Sequence, residues 1–587
     1  MKPLLSHRIT APLCFLLLVL LVLSPQFYLW PEPAKLGHWL RWSLAPTLLF
    51  LALLLTLSQQ LHRAIWAWFP LVLLAPQELF YIATYQKVTD AHAMAIIAET
   101  DLAEAAGYLS GLGWLILPAV LGMMLLFVLT SAVFKVQQYR WLSYGRPLVW
   151  TASLLLVGWL WQLELQYNKL YPVDPAASSA ETVLARRPLP NSHNLFHQSY
   201  PLNLLLAANE FRVQKAALAD VADKVEDFKF GANQPQPPAA RQIYLLVIGE
   251  TLRPDRLQLN GYHRSTTPRL AGLGDVISFT DIISPWSWTR MSVPVIISRK
   301  SELDQQYFSA EKSLVAAFAE AGFATAWLST QSPLGVHDSS VALHAAEADE
   351  VQYLNPVGYK KAGFYDEVLI KAVQRILAQQ AQKQLIVLHT LGSHFSYADR
   401  YPDHFDLFQP SGKGQAIGMH SRANKEMLNN AYDNTVAYTD YLLFNLIKSL
   451  QQQDAISSLL YVSDHGENLF DGDCNKSGHG HHTEYDYRVA AMWWGSAQFR
   501  QQYPQLAHQI AMNRQHPGST RQIFHTMLHL AQIGYPTAQP ELSLAQSPLS
   551  LAERPRLLAT GQNFDRAPKD PVCRAFTAPV SALEPGR

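Results

Sequence analysis

Leu459-Leu460-Tyr461-Val462-Ser463-Asp464-His465-Gly466-Glu467 is the stretch on which the fold turns. Four apolar residues in a row read as a strand buried on both faces. The run then ends in an acid, an imidazole and a glycine. In an open parallel sheet, ligands collect where strands end, so chemistry is expected at Asp464 and His465.

Three other runs end in the same manner. Ile243-Tyr244-Leu245-Leu246-Val247-Ile248 leads into Gly249-Glu250-Thr251. Leu385-Ile386-Val387-Leu388 leads into His389 and, a short loop later, His394. Ala324-Thr325-Ala326-Trp327-Leu328 leads into Ser329-Thr330-Gln331. One such ending is ordinary turn chemistry; four point to a shared site. Helical periodicity at residues 313–321, 366–382 and 430–452 separates the strands. The alternation predicts an α/β domain with a mainly parallel central sheet over residues 241–587.

Glu250, Asp464 and His465 offer two carboxylates and one imidazole, a set that suits Zn²⁺ with a position left open for catalysis. A lone Glu at a strand end is more often a helix cap or a surface acid. Asp-His-Gly-Glu after a buried strand is more specific. A fourth ligand is sought in Ser284-Pro285-Trp286-Ser287-Trp288-Thr289-Arg290-Met291-Ser292-Val293-Pro294, where small hydroxyls sit among large aromatics. A hydroxyl on Zn²⁺ loses its proton more easily and becomes a usable nucleophile. A buried structural Thr explains the same spacing. Downstream, Gly478-His479-Gly480-His481-His482 reads as a metal tract or as a solvent-exposed loop; His479 is expected to face the site.

The first 165 residues carry most of the apolar excess of a 587-residue chain that is 49% hydrophobic and 16% charged. Stretches near residues 10–30, 40–57, 64–85, 112–134 and 147–165 approach the roughly 20 residues that a helix needs to cross a bilayer. The expected architecture is therefore a five-helix transmembrane domain (1–170) and a connector (171–240) ahead of the α/β domain (241–587). Lys2, Arg8, Arg63, Lys135, Arg140 and Arg146 fall on one side of the membrane if the N-terminus is cytoplasmic, while Lys35, Arg41 and Lys87 oppose that bias. An odd number of spans then places the α/β domain outside. The loop 86–110 would also lie outside, as a solvated helix or one lying at the membrane interface. Gln234-Pro235-Gln236-Pro237-Pro238 reads as a linker. Basic and acidic residues balance at 46 each, no basic run stands out, and no nucleic-acid partner is expected. Cys474 and Cys573 would pair in an oxidising compartment; two free thiols are the other reading.

At these residues the chain resembles the membrane-bound phosphoethanolamine transferases of Gram-negative bacteria, within the alkaline-phosphatase/sulfatase superfamily. The matching segments are Val247-Ile248-Gly249-Glu250-Thr251-Leu252-Arg253, Leu259-Asn260-Gly261-Tyr262, Thr267-Pro268-Arg269-Leu270 and Thr289-Arg290-Met291-Ser292-Val293-Pro294. They continue with His389-Thr390-Leu391-Gly392-Ser393-His394, Tyr432-Asp433-Asn434-Thr435 and Ser463-Asp464-His465-Gly466-Glu467. Glu99-Thr100-Asp101 with Glu104-Ala105 is similar to the family's periplasmic loop motif. The resemblance implies Zn²⁺ held by Glu250, Thr289, Asp464 and His465, with a second metal left open. It implies Thr289 as the nucleophile, His394 and His479 as phosphate or proton-transfer residues, and substrate contacts from Asn260, Gln331, Ser332, His481 and His482. The implied donor is phosphatidylethanolamine, releasing diacylglycerol. The implied acceptor is lipopolysaccharide, reached from the periplasmic face of the inner membrane by a monomeric enzyme embedded in that membrane's lipid.

The chain departs from the lipid A branch in two ways. It lacks most of that branch's cysteines, and Pro285-Trp286-Ser287-Trp288 replaces a Cys-Gly-Thr run. Leu328-Ser329-Thr330-Gln331-Ser332-Pro333-Leu334-Gly335 is closer to the branch that modifies core heptose, so lipid A and heptose both stand as acceptors. Ser287 is the alternative nucleophile. A phosphoglycerol transferase, a sulfatase or phosphodiesterase, and a non-enzymatic envelope scaffold are the other functional readings. Ser292-Val293-Pro294-Val295-Ile296 lacks the Arg that a sulfatase needs in its Cys/Ser-x-Pro-x-Arg run.

Overall fold

The computed structural model describes residues 9–28, 36–85, 88–100, 105, 109, 113–170, 199–304, 311–331, 340–355, 365–415, 417–548 and 550–577. The chain forms two compact units. One comprises Met1–Ala98 and Leu112–Val213, the other Glu99–Gly111 and Gln214–Arg587.

The first unit is helical. Among the described residues, two stretches are long and apolar enough to cross a membrane, Leu61–Tyr85 and Ile116–Val136; Thr10–Val22 and Ala45–Leu55 are shorter apolar helices. The last of the five expected spans falls within the helix Gly145–Leu170. Leu18, Leu51, Ile65, Trp68, Val72 and Phe127 pack into this unit's core. Leu117, Leu125, Leu154, Leu155 and Val157 are each more than 60% exposed. Such a run of bare aliphatic surface is what lipid, not water, would cover. Helix Ala91–Glu99 lies in the loop expected outside, and residues 101–104 of its acidic motif lie outside the described residues.

The second unit is built on an eight-stranded sheet. Its strands in chain order are β1 (Gln242–Gly249), β2 (Ile277–Ile283), β3 (Ala324–Ser329), β4 (Glu350–Tyr353), β5 (Lys383–His389) and β6 (Ile456–Ser463). They continue with β7 (Asn468–Leu469), β8 (Ser477–Gly478), β9 (Arg488–Gly495) and β10 (Gly518–Ser519). The large sheet runs β10-β2-β9-β6-β1-β5-β3-β4, and β7 pairs with β8 apart from it. Only β9 runs antiparallel to its neighbours in the large sheet. The four strands read from the sequence are four adjacent central strands.

The middles of these central strands are apolar because both faces are covered. Tyr244, Leu246 and Ile248 of β1 pack on one side with Phe318 and Trp327. Ile243, Leu245 and Val247 pack on the other with Leu369, Val373 and Leu446. Helix Leu314–Glu320 starts where Ser313 caps it, its side chain accepting from the Val315 amide at 3.2 Å. Helices Val368–Ala378 and Lys425–Gln451 match the expected periodic segments.

The Pro-rich stretch read as a linker is docked on this unit. Gln234 Nε2 donates to Gln242 Oε1 and to the Ala531 carbonyl, both at 2.8 Å. Just before it, the amides of Phe230 and Ala232 donate to the Glu320 carboxylate at 2.9 and 2.8 Å. Cys474 and Cys573 form a disulfide.

Candidate metal centre

Strand register sets the site. Gly249 of β1 pairs with Ser463 of β6, so Glu250 and Asp464 leave adjacent strands at the same level. Ile248 and Ser329 both pair with His389, which brings the ends of β1, β3 and β5 level as well. Two packing constraints force these ends together. A Cβ on Gly392, in the loop after β5 at φ +50°, would lie 2.9 Å from the Glu250 amide nitrogen. Thr251, directly after Glu250, holds φ +53°, a conformation that costs a non-glycine residue about 1–2 kcal/mol. Hydrogen bonds support that turn: the Thr251 hydroxyl donates to the Ser393 carbonyl, and its amide to Asp464 Oδ1 at 3.2 Å.

Glu250, Asp464 and His465 are buried, with ligand atoms within 4.8 Å of one another. His465 Nε2 lies 3.2 Å from Glu250 Oε1 and 3.5 Å from Asp464 Oδ2. Neither of those oxygens receives a hydrogen bond. His465 Nδ1 is 2.9 Å from the Gly466 carbonyl, which fixes the proton on Nδ1 and leaves the Nε2 lone pair facing the two acids. Lone pairs converging in a buried space call for a cation. The electrostatics agree: burial, reinforced by the charge of Asp464, pushes the Glu250 carboxyl up to about 7. Burial acts to lower His465, yet Asp464 and Glu250 carry it up to about 10, so a proton on Nε2 answers the two acids unless a metal ion takes its place and turns that nitrogen into a ligand. The oxygen and nitrogen donor set fits Zn²⁺.

Thr289 completes the group. It is the first residue of helix Thr289–Ile297, at the end of that helix where positive dipole and free amides gather. Its hydroxyl donates to Glu250 Oε2 at 3.1 Å and lies 3.4 Å from His465 Nε2. Ser287 instead hydrogen-bonds Tyr487. Gln331 Nε2 donates to Glu250 Oε2 at 3.2 Å and to the Thr390 carbonyl at 2.9 Å.

His479 joins from the loop after β8. Its ring stands 4.3 Å from that of His465 and 4.8 Å from that of Trp288. Burial, then the charge of His465, holds it well below the usual imidazole range. His394 is lowered likewise by burial, then by Arg400, His479 and His465, so the cluster lies within its electrostatic reach. Both imidazoles are uncharged at neutral pH.

Three expected substrate contacts are placed elsewhere. His481 Nε2 pairs with the Ser477 carbonyl at 2.8 Å. His482 pairs through Nδ1 with Tyr487 Oη at 2.5 Å and through Nε2 with Gln562 Oε1 at 2.7 Å. Ser477 holds the His481 ring within its own loop, while Gln562 and Phe576 hold His482 against the C-terminal segment. Asn260 donates to the Pro254 carbonyl at 3.0 Å and to that of Phe279 at 3.4 Å, closing the loop after β1. Ser332 lies outside the described residues.

Two residues given no role from the sequence support the site. Glu467 is fully buried, its carboxyl raised by burial to about 8, with Oε2 3.5 Å from His479 Nδ1. Asp366 accepts from the amides of Leu391 and Gly392 at 3.0 and 2.9 Å and from the Thr330 hydroxyl, pinning the ends of β3 and β5 together. Glu467 stood in the quoted motif. Asp366 carries no local signal, because all its partners are distant in sequence.

Residues 242–533 match the model of the sulfatase family. This half of the chain is a sulfatase-family domain. The chain is similar to the phosphoethanolamine transferase EptC of Escherichia coli O18:K1:H7. The match is 24% identical over 404 residues, 65% of this chain and 68% of the relative. A crystal structure of the C-terminal periplasmic domain of E. coli EptC, in complex with Zn, shares the fold at TM-score 0.51 and 24% identity. It covers 57% of this chain and 96% of that one. The integral membrane lipooligosaccharide phosphoethanolamine transferase EptA of Neisseria meningitidis shares the architecture over 85% of this chain and 98% of its own. Its TM-score is 0.62 and its identity 21%.

Proposed function

We propose that the protein transfers phosphoethanolamine from phosphatidylethanolamine to lipopolysaccharide through a covalent intermediate on Thr289. One observation carries the reading: a hydroxyl at a helix N-terminus, 3.1 and 3.4 Å from members of a buried acid–acid–imidazole cluster. The relatives named above supply the substrate class. Glu250, Asp464, His465 and Thr289 would hold the ion. Zn²⁺ bound there would lower the pKa of the Thr289 hydroxyl and offset charge on the phosphoryl oxygens.

In the first half-reaction Thr289 Oγ1 bonds to the donor phosphorus and the bond to the diacylglycerol oxygen breaks. The proton leaving Thr289 must reach that oxygen, and in this reading the uncharged imidazoles of His394 and His479 relay it. In the second, an acceptor hydroxyl oxygen attacks the phosphorus, the bond to Thr289 Oγ1 breaks, and the acceptor's proton passes to Thr289. The amides at the start of helix Thr289–Ile297 and the Gln331 side chain orient the reacting groups. The membrane unit crosses the inner membrane five times in this reading and meets a two-tailed donor at the bilayer surface. The aliphatic surface of the first unit and the Cys474–Cys573 disulfide support a membrane anchor and an oxidising periplasm.

The test supplies full-length protein with labelled phosphatidylethanolamine or phosphatidylglycerol and measures diacylglycerol release and the mass of added lipopolysaccharide. Transfer from phosphatidylethanolamine is expected. Release from phosphatidylglycerol alone would replace the reading with phosphoglycerol transfer.

A further inference from the structure

A cavity in the α/β unit, of about 450 Å³, is lined by Arg256, Arg264 and Lys425 among others. It belongs to none of the chemistry above. Asp433, fully buried, stands behind it and pairs with both arginines: Oδ1 is 3.3 Å from Arg256 Nη1 and Oδ2 is 2.8 Å from Arg264 Nη1. Asn430 Oδ1 also accepts from Arg264 Nη1 at 2.7 Å, and Asn429 Oδ1 from Arg256 Nη2 at 2.6 Å. Tyr262 Oη donates to Asp433 Oδ2 at 2.8 Å. The guanidinium groups are therefore clamped from one edge. Arg264 spends only Nη1 on these partners, and among the described residues its Nε and Nη2 edge has none. That edge is the one that matches a carboxylate or phosphate bidentately. Phe408 lies under the guanidinium, 5.2 Å from its ring centroid, and steadies the plane.

Arg256, Arg264 and Lys425 meet Asp433 behind the wall, Glu426 exposed at the rim and Asp471, whose Oδ1 lies 4.0 Å from Arg256 Nη2 and is shared with Arg253, so the case for an anion rests on the open edge of Arg264 and not on an excess of charge. Lys425 and Glu426 open the 27-residue helix Lys425–Gln451, whose N-terminal dipole adds positive potential at the same place. Cations already fixed by Asp433, Asn429 and Asn430 lose little freedom when a ligand arrives.

We propose that this cavity is an oxyanion subsite for a phosphate or carboxylate group carried by the acceptor saccharide. The inference rests on the acceptor reading above and adds to it a contact away from the metal centre. Arg264 takes the oxyanion through Nε and Nη2, with Arg256 and Lys425 supplying further positive charge.

The experiment measures binding of full-length protein in detergent to three ligands: native lipopolysaccharide, the same material stripped of phosphate with hydrofluoric acid, and the same material with its carboxyls reduced. Inorganic phosphate serves as competitor. Native material is expected to bind about tenfold tighter than one of the two altered forms, which identifies the group read. Arg264→Gln and, on the half-buried rim, Lys425→Gln should each erase that difference, and inorganic phosphate should compete with wild type only. Equal binding of all three ligands by wild type, or retained discrimination in both variants, overturns the subsite. Turnover separates the two ideas. Discrimination dependent on Arg264 without any modification of lipopolysaccharide keeps the subsite and removes the transfer reading. Modification with the same KM in wild type and both variants does the reverse.

Discussion

The Thr289 hydroxyl lies 3.1 Å from the Glu250 carboxylate, although 39 residues and the whole of β2 separate them in sequence. Helix Thr289–Ile297 delivers the hydroxyl, and the end of β1 delivers the acid. The contact makes Glu250 either a ligand that shares an ion with Thr289 or merely its hydrogen-bond acceptor, and these roles predict different behaviour.

Glu250→Gln and Asp464→Asn should each lower bound zinc, measured by mass spectrometry of the metal, from about one equivalent to well below half. Neither substitution should unfold the metal-free protein, because each removes one of two crowded, buried carboxylates. Full zinc content in both variants would remove the acids from the ligand set.

Gly392→Ala should cost at least about tenfold in zinc affinity while the fold persists. The new Cβ would press on the Glu250 amide nitrogen at 2.9 Å, and alanine is strained at φ +50° by about 1–2 kcal/mol. Zinc titration against a competing chelator reads the shift. Unchanged affinity would show that Glu250 tolerates displacement.

Acid should loosen the C-terminal segment. Glu484 pairs with Arg488, Lys569 and Arg574. Burial acts to raise its pKa, but these cations hold it down to about 2. A depressed carboxyl adds stability that is present above its unfolded value near 4.5 and is lost as pH falls through about 2. With the Cys474–Cys573 disulfide reduced, proteolysis of residues 565–577 should rise as pH falls from 4.5 toward 2. Glu484→Gln should already show the high rate at pH 5. With the disulfide intact, the tether should blunt both effects.

The central sheet was legible because β1, β3, β5 and β6 are apolar runs, and their polar ends name the site. β9 was harder to read. Its Arg488-Val489-Ala490-Ala491-Met492-Trp493-Trp494-Gly495 gives no sign of running antiparallel, and its place between β2 and β6 is a tertiary fact. The His479–His482 tract reads from sequence as a metal tract or an exposed loop, with His479 expected to face the site and His481 and His482 to touch substrate. The structure divides it, because Gly480 at φ +82° and His482 at φ +58° turn the chain. His479 then meets His465, while His482 meets Tyr487 and Gln562. The disulfide could not be decided from sequence, since 99 residues separate its halves and free thiols fit the same text. Asp366 was invisible because its role depends on three partners brought by two other strand ends.

Intact-mass and peptide mass spectrometry of full-length protein quenched during turnover of phosphatidylethanolamine tests the central claim most directly. The protein should gain one phosphoethanolamine, on the peptide that carries Thr289, and Thr289→Ala should gain none. Turnover with the group attached to Ser287 or any other residue, or with no adduct while Thr289→Ala remains active, would contradict it.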